Sequence, residues 1–171
     1  FGYLKKLSIP ESKPFGDFSR GMKMKLGIAA ALSHNSKLLI LDEATSGLDP
    51  VVRDEVVELF SDFTRDEEHS VLISSHIVSD LEKLCDYIAF LHQGRLMLCE
   101  EKDALLAEYC FARGTAAELD AIDRGSRIGR RDGRYGSEAI IRRAAAPAGL
   151  SLSPVSIEEL FIFMVKEGGR Q

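Results

Sequence analysis

Leu38-Leu39-Ile40-Leu41-Asp42-Glu43 decides the fold, because four apolar residues in succession lead directly into two carboxylates. A continuous apolar run of this length is typical of a strand that is buried on both faces of a parallel sheet. In open α/β sheets, ligands bind at the carboxyl ends of the strands. The run therefore predicts an α/β fold with Asp42 and Glu43 at the edge of the sheet where a site is expected.

The segments on either side of this strand alternate between helical and extended patterns, as in an α/β sheet. Up to Tyr109 the patterns predict, in order, a helix over Arg20–Leu32, the strand Leu38–Leu41, a helix from Pro50, the strand Val71–Ser74, a helix over Ile77–Cys85, a hairpin over Tyr87–Cys99 and a helix over Lys102–Tyr109. Ser19 and Asp49 are the expected N-caps of the first two helices. His76 follows the second strand, so we expect it at the same sheet edge as Glu43.

The balance between basic and acidic residues changes near Tyr109. Residues 1–109 hold 12 Lys/Arg against 19 Asp/Glu, whereas residues 110–171 hold 10 against 8. An acidic body argues against general nucleic-acid binding. We expect two parts, an α/β domain over 1–109 and a small appendage over 110–171.

The appendage is rich in Ala, Gly and Arg, and we interpret it as a small α/β unit. Its patterns predict short helices over Ala116–Ile122 and Glu138–Ala146, and a last helix that begins at the capping box Ser156-Ile157-Glu158-Glu159. We expect the last helix to pack on the appendage's own sheet. Docking to residues 1–109 or to a partner is the alternative.

Composition narrows the class of protein further. Hydrophobic residues make up 45% and charged residues 29% of the 171 residues, which excludes a chain that is disordered over most of its length. The longest apolar run, Leu160–Val165, is far shorter than the ~20 residues that a membrane-spanning helix needs. The three cysteines have no metal-ligand spacing and are typical of reduced, mostly buried thiols in a cytoplasmic protein.

An acidic pair at the end of a buried strand suits phosphate chemistry. The carboxylate of Asp42 could hold Mg²⁺ through its water shell, and that of Glu43 could orient and deprotonate an attacking water. Taken alone, the pair is equally compatible with a strand end that carries two solvated acids. Ser19 and Gly21 could form an anion site at a helix start, although every helix has a cap. A lone histidine such as His76 is more often structural.

In their order along the chain, these motifs resemble the second half of the ATP-binding domain of ABC transporters. Phe18-Ser19-Arg20-Gly21-Met22 is similar to the family's signature motif, usually Leu-Ser-Gly-Gly-Gln, and Leu38–Glu43 to its Walker B strand. Ser46–Asp49 resembles the D-loop, and His76 the switch histidine. The resemblance covers residues 15–109 and implies the C-terminal portion of a P-loop NTPase-like parallel-sheet core.

The resemblance implies a role for each matching residue at the strand ends. Asp42 would hold Mg²⁺ through water, and Glu43 would be the general base that polarises the attacking water. His76 would contact the γ-phosphate of ATP.

The same resemblance implies a head-to-tail dimer with a second ABC ATPase subunit. Ser19 and the amide of Gly21 would bind the γ-phosphate held by the other subunit, and Arg20 adds a cation beside it. Signals would cross the dimer interface through the D-loop residues Ser46, Gly47 and Asp49.

The signature departs from the commonest form at Phe18, Arg20 and Met22. Its Ser-Arg-Gly-Met form looks like that of exporter ATPases that work with ABC-2-type membrane subunits. We therefore expect an integral membrane permease as partner, no nucleic acid, and a cytoplasmic location, peripheral at the inner face of the cell membrane.

No G-x-x-x-x-G-K-[ST] loop occurs in the 171 residues. In the resembled family this loop precedes the signature, so we expect a C-terminal fragment that is inactive alone and an ATPase when complete. An ABC-type ATPase of DNA repair or chromosome maintenance is one alternative, although no long coiled-coil heptads occur here. A binding or regulatory module without catalysis is another.

Overall fold

A computed structural model describes residues 2–133 and 136–168, and its contacts divide the chain into two compact units, 1–84 and 85–171. The boundary between the units precedes the hairpin that the sequence analysis placed in the first part. The assignment of residues 1–109 to an ABC-type domain and of 110–171 to an appendage stays a prediction.

The first unit alternates helices and strands in the predicted order. Its elements are α1 (Gly2–Lys6), a 3₁₀ turn (Phe15–Asp17), α2 (Arg20–Leu32), β1 (Leu38–Asp42), α3 (Pro50–Thr64), β2 (Ser70–Ser74) and α4 (Val78–Leu84). Both predicted N-caps are present, since the side chains of Ser19 and Asp49 accept hydrogen bonds from the N–H groups of Met22 and Val52. Local sequence signals therefore set where α2 and α3 begin.

β1 and β2 pair in parallel, with Asp42 opposite Ser74 at the carboxyl end. One face of this sheet packs on α2 and α3 through Leu39, which is buried. The fully or nearly fully buried side chains of this core are Leu7, Ile28, Leu32, Val56, Leu59 and Phe60. α2 and α3 cover one face of this sheet, so the ends of β1 and β2 lie at the border of the hydrophobic core.

The prediction that β1 is buried on both faces is wrong for one face. Ile40 is 72% exposed. Leu72, its neighbour on β2, is 62% exposed, and Leu38 on β1 is 51% exposed. Side chains alternate between the two faces of a strand, so these residues share the face opposite Leu39. Within the described residues, no helix of the first unit covers that face.

The second unit begins with a hairpin and continues into a four-stranded sheet. Its elements are β3 (Tyr87–His92), β4 (Arg95–Glu101), α5 (Lys102–Glu108), β5 (Tyr109–Gly114), α6 (Ala116–Asp120), a 3₁₀ turn (Arg124–Ser126), β6 (Arg127–Gly133), β7 (Gly136–Arg142), a 3₁₀ turn (Arg143–Ala145), β8 (Ser151–Ser153) and α7 (Ile157–Gly168). The predicted hairpin turn is confirmed, with positive φ at Gln93 (48°) and Gly94 (74°).

The predicted helix over Glu138–Ala146 is wrong, because this segment contains most of strand β7 and a 3₁₀ turn. The sheet order is β6-β7-β5-β8, and all of its strand pairs are antiparallel. β7 lies between β6 and β5, and its residues Ala139, Ile140 and Ile141 are fully buried. The tertiary environment therefore overrides a pattern that is compatible with either a helix or a strand.

α7 packs on the appendage's own sheet, as predicted, and it also contacts the hairpin within residues 1–109, which was the alternative. The ring of Phe163 meets that of Phe111 on β5 edge-on, with centroids 5.7 Å apart, and Phe161 meets Phe90 of the hairpin at 5.1 Å. The predicted capping box is present, because Ser156 and Glu159 exchange hydrogen bonds at the start of the helix. In the described parts of the chain, none of the helices combines the length and apolar character that crossing a bilayer requires.

The three cysteines are free thiols at different depths. Cys110 is buried, Cys85 is half-buried and Cys99 is exposed, so the expectation of mostly buried thiols fails at Cys99. Burial raises the pKa of the Cys85 and Cys110 thiols, which keeps both protonated at neutral pH.

The α6 capping box should give the second unit an acid-dependent component of stability. The Glu118 carboxylate accepts hydrogen bonds from the backbone N–H of Thr115 at 2.7 Å and from the Thr115 hydroxyl at 2.8 Å. These two bonds lower the pKa of Glu118. A lowered folded-state pKa contributes stability above the unfolded value, and this contribution is lost as pH falls through the folded value.

We expect Glu118→Gln, which keeps an acceptor for the Thr115 N–H, to show a smaller fall in the free energy of unfolding than the wild type as pH drops from about 6 to about 3. Urea unfolding at both pH values measures the difference. Equal falls in the two proteins would contradict this role of Glu118.

Candidate functional site

The backbone changes direction at Glu43, directly after β1. Its φ of 50° lies in the left-handed region, which costs a non-glycine residue about 1–3 kcal/mol. Two backbone hydrogen bonds hold it there: its N–H donates to the Ser74 carbonyl and its carbonyl accepts from the Ser46 N–H, both at 3.0 Å. The turn, and not the pleat of β1, therefore sets the position of the Glu43 carboxylate.

His76 lies beside Glu43, as the order of the strands predicted. Its Nδ1 is 2.6 Å from Glu43 Oε2, and the two side chains are 68% and 40% exposed. An ionised carboxylate only accepts hydrogen bonds, so Nδ1 carries the proton in this pair. The other ring nitrogen, Nε2, is then the atom through which His76 can meet a ligand.

Asp42 is the second carboxylate at this edge. Its Oδ1 accepts a short hydrogen bond from the hydroxyl of Ser74, its register partner on β2. One exposed carboxylate with a hydroxyl beside it offers the hard oxygen donors that Mg²⁺ takes, and Mg²⁺ usually keeps several of its waters. Among the described residues, no group of three or more His, Cys, Asp or Glu side chains forms a metal cage. The donor set fits an ion held largely through water.

Ser19, Arg20 and Gly21 begin α2. The Ser19 Oγ accepts from the Met22 N–H at 3.2 Å, which leaves its own hydroxyl proton available to a ligand. The first N–H groups of a helix have no partner within the helix and carry the positive end of its dipole. This helix start therefore offers a hydroxyl, amides and the Arg20 cation to an anion.

The segment Ser46–Asp49 is built from consecutive turns between β1 and α3. The Ser46 N–H bonds to the Glu43 carbonyl, and the Leu48 N–H bonds to the Thr45 carbonyl at 3.3 Å. Gly47 has a φ of +75°, and Asp49 ends the segment as the cap of α3. The loop is therefore tied to Glu43 at one end and to a helix at the other.

The structure brings the predicted residues into two groups. Asp42, Glu43 and His76 meet at the carboxyl ends of β1 and β2. Arg20 lies against Gly47, since a Cβ at Gly47 would be 3.4 Å from Arg20 Nε, and a Cβ at Gly21 would be 3.5 Å from Leu48 Cδ2. The start of α2 thus packs on the Ser46–Asp49 loop.

Ser74, which bonds to Asp42, was missed as a site residue by the sequence analysis. It was predicted only as the last residue of a strand, and its signal was its position opposite Asp42 in the strand register. Thr45 is fully buried within the loop after Glu43, and among the described residues its hydroxyl has no hydrogen-bond partner. No sequence pattern distinguishes a buried threonine of this kind.

A cavity of about 690 Å³ lies in the second unit, at the ends of β5, β6 and β7. Its charged groups already have partners in the protein, because Arg113 and Arg131 both pair with Glu138 and Glu118 bonds to Thr115. Its lining contains none of the predicted site residues. We therefore place the candidate site at the strand ends of the first unit.

Comparison with known proteins identifies the same region. Residues 13–79 match a family model described as "AAA domain, putative AbiEii toxin, Type IV TA system". Every predicted site residue lies inside this range.

Several curated proteins are similar to about half of the chain. The lantibiotic transport ATP-binding protein SrtF of Streptococcus pyogenes is 45% identical over 93 residues, which are 54% of this chain and 40% of SrtF. The bacitracin transport ATP-binding protein BcrA of Bacillus licheniformis is 46% identical over 85 residues, or 50% of this chain and 28% of BcrA. The ABC transporter ATP-binding protein YtrB of Bacillus subtilis (strain 168) is 34% identical over 106 residues, or 62% and 36%.

Half of this chain is homologous to the ATP-binding proteins of ABC transporters. The mixed α/β fold, with β1 and β2 in parallel, agrees with the P-loop NTPase-like core expected of an ABC ATPase. The matches span 40% or less of these three relatives.

The cap of α3 gives a prediction for Asp49. Its Oδ1 accepts from the Val52 N–H at 3.1 Å, so Asp49→Ala should lower the free energy of unfolding by about 1 kcal/mol. Asp49→Asn keeps the acceptor and should change stability little. Urea unfolding of the three proteins checks this, and equal stability of Asp49→Ala and wild type would show that the cap contributes nothing.

Proposed function

We propose that this chain supplies residues that act in ATP hydrolysis in the ATPase subunit of an ABC exporter. The observation that carries the proposal is the contact of 2.6 Å between His76 and Glu43, beside Asp42, at the carboxyl ends of two parallel strands. A carboxylate and an imidazole at this edge can act on a water and on a phosphate together.

Each residue at this edge of the sheet has one role in the proposed reaction. Glu43 orients the attacking water and accepts its proton, and His76 contacts the γ-phosphate through the ring nitrogen that Glu43 leaves free. Asp42 would hold Mg²⁺, which would supply positive charge to offset that of the phosphates. Ser74 orients the Asp42 carboxylate through its hydroxyl.

The dimer is part of the proposal. Ser19, Arg20 and Gly21 bind the γ-phosphate held by a second ABC ATPase subunit, where the helix start offers amides and a cation. Ser46, Gly47 and Asp49 face that subunit and report on its nucleotide. An integral membrane permease is the other partner, and the assembly works at the inner face of the cell membrane.

Transport is favoured over DNA maintenance by two observations. SrtF, BcrA and YtrB are all named as transport or ABC transporter ATP-binding proteins. Residues 1–109 carry more acidic than basic side chains, which opposes binding to a phosphate backbone. Tight DNA binding by the purified protein would favour the maintenance function instead.

The proposed base is tested in a protein that contains both these residues and a G-x-x-x-x-G-K-[ST] loop. Glu43→Gln keeps the shape of the side chain and removes its basicity, so steady-state ATPase should fall about 10²- to 10⁴-fold while the ATP-closed dimer persists. Glu67→Gln, in an exposed acidic pair, is the matched control and should keep its activity. Undiminished turnover in Glu43→Gln would overturn the assignment of the base.

We also propose that the 171-residue chain does not hydrolyse ATP on its own, since it contains no G-x-x-x-x-G-K-[ST] cradle. The chain with ATP and Mg²⁺ should release phosphate no faster than its Glu43→Gln variant. A Glu43-dependent release above that background would contradict this part of the proposal.

A further inference from the structure

Arg20 occupies a position where the commonest ABC signature has glycine, and its side chain lies on Gly47. A Cβ built on Gly47 would be 3.4 Å from Arg20 Nε, 3.5 Å from Cζ and 3.7 Å from Cδ. The planar end of the arginine therefore lies against Gly47. A Cβ at this position would meet the arginine at ordinary van der Waals distance, so the φ of +75° is what favours glycine here.

The Arg20 cation has no acidic partner in the part of the chain that the structure describes. Among the residues that the structure describes, no carboxylate lies within ion-pair distance of its guanidinium. Arg130 and Arg131, in contrast, are paired with acidic side chains. With respect to the described residues, Arg20 is therefore an unpaired cation at the start of α2 that also contacts Gly47.

The loop leads from this contact to the proposed base. Gly47 follows Ser46, whose N–H donates to the Glu43 carbonyl at 3.0 Å. Glu43 is held in its left-handed conformation partly by that bond. A change in the Arg20–Gly47 contact can therefore reach the backbone of Glu43 through a single residue.

We propose that Arg20 is a positioning residue that couples an anion at the start of α2 to the Ser46–Asp49 loop. This inference rests on the proposed function, which places a phosphate there. An anion at Ser19 and Gly21 attracts the unpaired guanidinium, since charge-assisted bonds to phosphate are strong. The guanidinium then moves away from Gly47, and the environment of the Gly47 backbone changes.

The test is a titration of the ¹⁵N-labelled 171-residue chain with inorganic pyrophosphate at constant ionic strength, followed by amide NMR shifts. In the wild type, the amides of Ser19, Gly21 and Gly47 should all shift with one dissociation constant. In Arg20→Ala, which keeps the helix propensity of α2, the Ser19 and Gly21 amides should still shift, with a roughly two- to fivefold weaker dissociation constant. The Gly47 amide should no longer respond.

Two variants separate the guanidinium from charge alone. Arg20→Lys keeps the charge without the planar group, so it should restore the dissociation constant while the Gly47 shift stays below half of the wild-type value. Lys23→Ala removes another cation near the start of α2, one that lies over the Phe15 ring, and should leave the Gly47 response intact.

The outcomes distinguish this inference from the proposed function. Shifts at Ser19 and Gly21 without any at Gly47 in the wild type, or a Gly47 shift that survives Arg20→Ala, overturn the coupling and leave the anion site in place. Absence of shifts at Ser19 and Gly21 in the wild type overturns both the anion site and the coupling built on it.

Discussion

The parallel pairing of β1 with β2 is the constraint on which the rest of the site depends. Parallel strands end at the same edge of a sheet, so the polar residues that follow each strand must meet there. The register places Asp42 opposite Ser74, and Glu43, one residue beyond Asp42, contacts His76, which lies two residues beyond Ser74. A shift of one residue would turn the apolar side chains of β1 away from the core, so burial of Leu39 fixes the site as well as the sheet.

Local signals in the sequence predicted the helix starts of the first unit and the hairpin turn of the second unit well. Ser19 and Asp49 cap helices whose first residues were predicted correctly, and Gly94 ends the hairpin turn where expected. Each of these residues satisfies a need of the backbone within a few residues of itself, such as an unpaired N–H or a positive φ. Such local requirements can be recognised in a sequence without reference to the tertiary structure.

The errors came from properties that depend on distant parts of the chain. The Ala139-Ile140-Ile141 run is compatible with a helix or a strand, and pairing with β5 and β6 on either side decides for the strand. The apolar run of β1 correctly predicted parallel pairing, but its composition could not show which faces have a neighbour. For the same reason the motifs predicted Arg20 and Gly47 as separate elements, whereas the contact between them follows from the path of the loop.

The conformation of Glu43 links stability to chemistry at this edge. Among the positive-φ positions described, Asn35 and the glycines tolerate the left-handed region, whereas Ser8, Glu43 and Gln93 gain nothing from it. Glycine at position 43 would remove a strain of about 1–3 kcal/mol, and the bonds from Ser46 and to Ser74 use only backbone atoms that glycine also has. The fold therefore has no need of a carboxylate at position 43. What the side chain adds in this structure is its contact with His76, which is the contact that the proposed function uses.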